Sequence, residues 1–171
     1  MKRHVFVLNG PNLNLLGKRE PHLYGYTTLA EVEARCRRVA DEIGFELFFA
    51  QSNMEGDLIN WVHEAREKAA AMVINPAGLS FFSVPLLDSL KTLSEPTVEV
   101  HVTNIHRRDP LYHHSIISQY VSTGVICGLG PFGYEAALRF LAGHYEARDP
   151  QPDSGAKRSK RKPTHSPARR E

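Results

Sequence analysis

The segment Val98-Glu99-Val100-His101-Val102-Thr103-Asn104 puts a histidine at the end of an alternating apolar run, with a carboxylate two residues behind it and a hydroxyl and an amide just ahead. Residues two apart on a strand share a face, so Glu99 can orient His101 and tune its charge, as general acid or base catalysis requires. The same pair could equally be a buried contact holding a strand end. A second candidate lies in Gly10 to Gly25 (GPNLNLLGKREPHLYG), a loop too long and too punctuated for a simple connection and of the kind that forms lids. A tyrosine can act as a base only if a cation stabilises its phenolate; Arg19 shares this loop with Tyr24 and could supply one. Without that cation, Tyr24 reads as an exposed loop residue. Asn9 and Asn12 follow the first strand-like run, Asn75 the third, and Thr103 and Asn104 the fourth. Singly, asparagines are turn formers; delivered to one sheet edge, these groups make a site.

The elements that must position these groups alternate. His4 to Asn9 reads as a buried strand ending in Asn-Gly-Pro, and Thr28 with Glu31 forms a capping box opening a helix to about Ile43, closed by Gly44. Phe45 to Ala50 is a second strand, Asp57 to Ala70 a helix, Ala71 to Ile74 a third strand, and Ser83 to Leu93 a helix with Pro85 in its first turn. The His101 segment is the fourth strand and Tyr120 to Ile126 the fifth; Gly128-Leu129-Gly130-Pro131 then turns into a helix from Phe132 to about Tyr145. Strands alternating with helices imply an α/β fold with a five-stranded parallel sheet covered on both faces, in the flavodoxin-like order.

Length and charge bound the rest. The 171 residues suit one domain over residues 1–148 and a tail over 149–171. The net charge of +2 is misleading, because the tail holds seven Lys/Arg against three Asp/Glu and leaves the body mildly acidic, fourteen against sixteen. That tail has no apolar residue larger than alanine or proline and is expected to be disordered. It lacks aromatic residues for base stacking, so it reads as a solvated basic segment and not as a specific nucleic-acid binder. No apolar run approaches the roughly 20 residues of a membrane helix, and no cleavage pattern follows Met1, so a soluble cytoplasmic protein is expected. Cys36 and Cys127 read as reduced structural residues. The nine histidines lack ligand spacing, and the Gly128 turn is too short for a dinucleotide fingerprint, so neither metal nor cofactor is expected.

With those residues in view, the chain resembles the type II 3-dehydroquinate dehydratases from about residue 4 to residue 145. The resemblance rests on Leu8-Asn9-Gly10-Pro11-Asn12-Leu13-Asn14-Leu15-Leu16-Gly17, Arg19-Glu20-Pro21 with Tyr24-Gly25, Gln51-Ser52-Asn53 with Glu55-Gly56, and Asn75-Pro76. Glu99-Val100-His101, Asn104-Ile105-His106 and Gly124-Val125-Ile126 with Gly128-Leu129-Gly130 continue it. It implies a flavodoxin-like fold and an anti-elimination of water from a cyclic hydroxyketone acid through an enolate. In the implied roles, Tyr24, favoured as phenolate by Arg19, removes the proton alpha to the ketone, and Asn12 helps hold a water at the enolate oxygen. His101, oriented by Glu99, protonates the departing hydroxyl, which Asn75 binds; Val102 and Thr103 hold the carboxylate of the small-molecule substrate. Asp88 looks like the family's acidic residue that reaches a neighbouring subunit in trimers that build dodecamers.

Two positions depart from the family pattern. Phe81, followed by Phe82, stands where the family has histidine and threonine, and Tyr112 stands where it has arginine, so groups that bind the ring hydroxyls are altered. Three readings follow from this. The chain dehydrates 3-dehydroquinate with Tyr112 and Arg107 or Arg108 compensating; or it applies the same chemistry to a less hydroxylated or more apolar cyclic keto acid; or it is a non-catalytic oligomeric scaffold.

Overall fold

The computed structural model of the protein describes residues 2–149, and the tail expected to follow lies outside the described residues apart from Asp149. Five strands, β1 (Arg3–Asn9), β2 (Phe45–Gln51), β3 (Ala71–Asn75), β4 (Thr97–His101) and β5 (Gly124–Cys127), form one parallel sheet in the order β2-β1-β3-β4-β5. This is the flavodoxin-like order, whose switch point falls between β1 and β3. Asn9 and Asn75 face each other in register there.

Burial on both faces explains why the central strands read as continuous apolar runs. Val5 and Val7 of β1 point to one side, against Val32, Cys36 and Val39 of α2 (Leu29–Glu42) and Tyr134, Leu138 and Leu141 of α6 (Phe132–Arg148). Phe6 and Leu8 point to the other, against Leu58 and Val62 of α3 (Glu55–Glu67), Leu86 and Leu90 of α4 (Val84–Leu90) and Ile117 of α5 (Ile116–Tyr120). The capping box at Thr28 forms as the sequence predicts, with the Thr28 backbone N–H donating to the Glu31 carboxylate at 2.7 Å and Glu31 N–H returning to the Thr28 hydroxyl.

Four features differ from the sequence expectations. The loop from Gly10 to Gly25 carries a 3-10 turn (Leu13–Leu15) and a single helical turn, α1 (Pro21–Tyr24). The stretch expected as a fifth strand from Tyr120 is divided: α5 ends at Tyr120 and β5 begins only at Gly124. The Ser115 hydroxyl caps the Ser118 N–H and burial of Ile117 anchors this helix, which takes Tyr120 as its last residue. The helix expected to run to Leu93 ends at Leu90. At the sequence's last helix the extension is in the other direction, to Arg148, and Asp149 pairs with Arg3 at the start of β1.

Candidate active site

A cavity of about 250 Å³ opens at the C-terminal ends of β1, β3 and β4. Asn12, Arg19, Tyr24, Asn75, Phe81, His101, Val102, Thr103 and Tyr112 all line it, and so does Arg108. Glu99 lies behind His101, and Asp88 sits on the exposed side of α4, bonded to Lys91 at 3.1 Å and away from the cavity.

The strand ends come together through close backbone approach. Gly10 N–H donates to Asn75 C=O at 2.8 Å, and a Cβ at residue 10 would lie 2.4 Å from the Pro76 carbonyl oxygen, so only glycine fits. Gly128 meets Asn104 in the same way, 2.8 Å from its Cβ, which seats the turn before α6 on the loop after β4. Asn12 takes up a left-handed conformation (φ 68°), and its N–H donates to the Asn53 side-chain oxygen at 2.8 Å. Ala77, on the facing wall, is also left-handed (φ 51°), a strain on the order of 1 kcal/mol for a residue with a Cβ. Its N–H is held by Asn75 Oδ1 at 3.3 Å.

Asn75 is fixed from below the sheet edge. Its Nδ2 donates to the Tyr134 hydroxyl at 2.8 Å, and that hydroxyl donates to Asn9 Oδ1 at 2.7 Å. Complete burial pushes the Tyr134 phenol well above its ordinary range. A tyrosine 59 residues beyond Asn75 was not singled out in the sequence; its position in an apolar helix pattern gave no polar signal.

His101 and Glu99 form the pair anticipated from their spacing, with Nε2 2.6 Å from Oε1. Glu99 is fully buried, and its charge is compensated by further donors: Ser115 Oγ to Oε1 at 2.7 Å and Ser118 Oγ to Oε2 at 2.6 Å. No buried side-chain nitrogen or oxygen among the described residues lacks a partner, and His101 Nδ1 has none, so Nδ1 opens onto the cavity.

The loop side departs from the sequence expectation in one respect. Arg108 Nη1 donates to the Tyr24 hydroxyl at 3.1 Å, while the Arg19 guanidinium lies 5.4 Å from the Tyr24 ring centre and binds Glu20 at 2.8 Å. That bond raises Arg19 above, and lowers Glu20 below, their ordinary values. Arg108 is itself stacked on Tyr112, 4.0 Å from the ring centre, and Tyr112 meets Phe81 edge-on at 5.4 Å. Phe81 in turn stacks on the His101 ring at 6.2 Å and 26°. His113 Nε2 lies 2.9 Å from the Arg108 carbonyl and holds the loop that carries it. A tyrosine hydroxyl and a histidine nitrogen facing one cavity, the first beside a guanidinium and the second backed by a carboxylate, can remove a proton from carbon and deliver one to a leaving oxygen.

The family model for dehydroquinase class II matches residues 3–142. A relative from Agrobacterium fabrum named 3-dehydroquinate dehydratase 2 is 56% identical over 135 residues, 79% of this chain and 91% of its own length. Another of the same name, from Pseudomonas aeruginosa, is 50% identical over 147 residues, 86% of this chain and 99% of its own. The crystal structure of type II dehydroquinase from Propionibacterium acnes superposes with a TM-score of 0.80 at 42% identity, covering 84% of this chain and 98% of that one.

Proposed function

The chain belongs to the class II dehydroquinase family, and from that premise we propose how its own residues carry out the dehydration of 3-dehydroquinate. It acts as a hydro-lyase. Tyr24, as a phenolate stabilised by Arg108 and by Arg19 behind it, removes the proton alpha to the ketone. The electron pair moves into an enolate, whose oxygen is stabilised by a water held at Asn12. His101, as the imidazolium with its Nε2–H on Glu99, delivers its Nδ1 proton to the departing hydroxyl and is left neutral with Nε2–H retained, so that water leaves and the enone forms. Asn75 binds that hydroxyl, and the N–H groups of Val102 and Thr103, with the Thr103 hydroxyl, take the substrate carboxylate.

The observation that carries this reading is that Tyr24 with Arg108 and His101 with Glu99 face one cavity from separate elements, as an anti-elimination needs. Arg108, not Arg107, is the cation placed to compensate for Tyr112. The assay is formation of enone absorbance from 3-dehydroquinate by the purified protein. Turnover lost in Tyr24→Phe is the expected result; no turnover by folded protein overturns the reading.

The Phe81 wall favours one second reading. A phenyl ring stacked on His101 and a tyrosine edge beside it offer carbon where a ring hydroxyl would need a donor, which suits a less hydroxylated or more apolar cyclic keto acid. A higher kcat/KM for such an acid than for 3-dehydroquinate, reversed by Phe81→His with Tyr112→Arg, would establish it. Assembly into trimers and dodecamers, with Asp88 on the exposed face of α4 reaching a neighbour, belongs to the same proposal, and sedimentation of the intact protein tests it. A cytoplasmic site of action belongs to the same proposal and is supported by the two free cysteines.

A further inference from the structure

Two hydroxyl groups outside the cavity bear on how His101 works. Glu99 is fully buried and presents both carboxylate oxygens to side-chain donors, yet only one of those donors, His101, reaches the cavity. The others are serines of α5, its N-cap and the segment that follows it, the last being Ser122, whose hydroxyl makes a long 3.5 Å contact to Oε2. Ser115, the N-cap of α5, accepts the Ser118 N–H at 3.2 Å and donates to Glu99 Oε1 at 2.7 Å. Ser118, half-buried one turn on, donates to Oε2 at 2.6 Å.

We infer that Ser115 and Ser118 are positioning residues for the acid step, clamping the Glu99 carboxylate so that His101 is held with its Nε2–H directed inward and Nδ1 directed at the leaving group. A carboxylate only accepts hydrogen bonds, so His101 must donate through Nε2. With both oxygens bonded to α5, the carboxylate cannot rotate away, and one tautomer and one ring orientation follow. The inference rests on the proposed dehydration for its kinetic consequence, but the tautomer it assigns does not depend on any substrate.

Ser118→Ala is the decisive variant, because Ser115→Ala also removes the cap of α5. Loss of one hydrogen bond to the buried carboxylate should lower kcat on the order of tenfold with KM changed by less than a factor of about two, and Ser118→Thr, which keeps the hydroxyl, should recover most of it. The loss should fall on cleavage of the carbon–oxygen bond and not on proton abstraction. Substrate deuterated at the abstracted alpha position should therefore show a smaller isotope effect with Ser118→Ala than with the wild type, and recovered substrate should exchange that position with solvent. A fall in kcat with an unchanged isotope effect would overturn the inference, as would an unchanged kcat. If the wild type itself fails to turn over 3-dehydroquinate, the functional reading fails separately, and the imidazole 15N–1H spectrum of His101 decides the remaining point. At a pH where the ring is neutral, a wild-type imidazole protonated at Nε2 alone, becoming a mixture of tautomers in Ser118→Ala, supports the clamp; identical spectra overturn it.

Discussion

On the strand side of the cavity, Asn75 and Glu99 are buried and bonded to side chains of other elements and the buried His101 is bonded to Glu99, whereas on the loop side Arg19, Tyr24 and Arg108 meet one another through half-exposed contacts. The strand side costs a great deal to disturb, since every polar atom there would lose a partner with no water to replace it. The loop-side contacts cost little to break, because solvent substitutes for each of them. In the proposed mechanism the strand side supplies the fixed acid and the hydroxyl binder, and the loop side the base.

The contrast is broken most completely by removing the reacting groups themselves. Tyr24→Phe and His101→Ala should each lower kcat by about 10² to 10⁴, the usual range for a positioned base or acid. They should differ in stability, Tyr24→Phe melting with the wild type and His101→Ala below it, as calorimetry can check. Next is the pairing of charges. Glu99→Ala should destabilise the fold by about 3–5 kcal/mol, as breaking a buried pair does. Glu20→Ala, which breaks the exposed Arg19 pair, should leave the urea midpoint unchanged.

A subtler test sharpens the loop side. Arg108→Lys keeps the charge but loses the flat stack on Tyr112, so kcat should drop about tenfold with no change in melting temperature. A fall in stability as large as that of Glu99→Ala would show that the loop is as rigidly built as the strand ends. The smallest effect concerns pH. Tyr134 titrates higher in the folded chain than its ordinary value of 10.0, because burial disfavours its phenolate. The unfolded chain then releases a proton that the folded one keeps, so stability falls as pH rises above about 10. Tyr134→Phe should lose about 1–3 kcal/mol at neutral pH by leaving Asn9 and Asn75 short of a partner, and should remove its share of the alkaline slope in denaturation curves.

Much of this molecule is local in origin. The capping box at Thr28, the buried runs of β1, β3 and β4, the two-residue spacing of Glu99 and His101 and the flavodoxin-like order follow from periodicity and short-range sterics, which residues close in sequence decide. Helix α5 is too short to show a helical period in the sequence; its Ser115 cap and the burial of Ile117 set it. The cation that bonds the Tyr24 hydroxyl is another pairing the spacing does not reveal. Arg19 is five residues away, but Arg108 makes the contact across 84. The Tyr134 bridge from Asn75 to Asn9 and the serine contacts to Glu99 are likewise pairings between elements, set by how helices seat on the sheet. The sequence by itself determined which groups could react and on which strand ends they stand. Only the tertiary structure decided which partner holds each one, because a hydrogen bond is selected by distance in space and the chain's own spacing does not encode it.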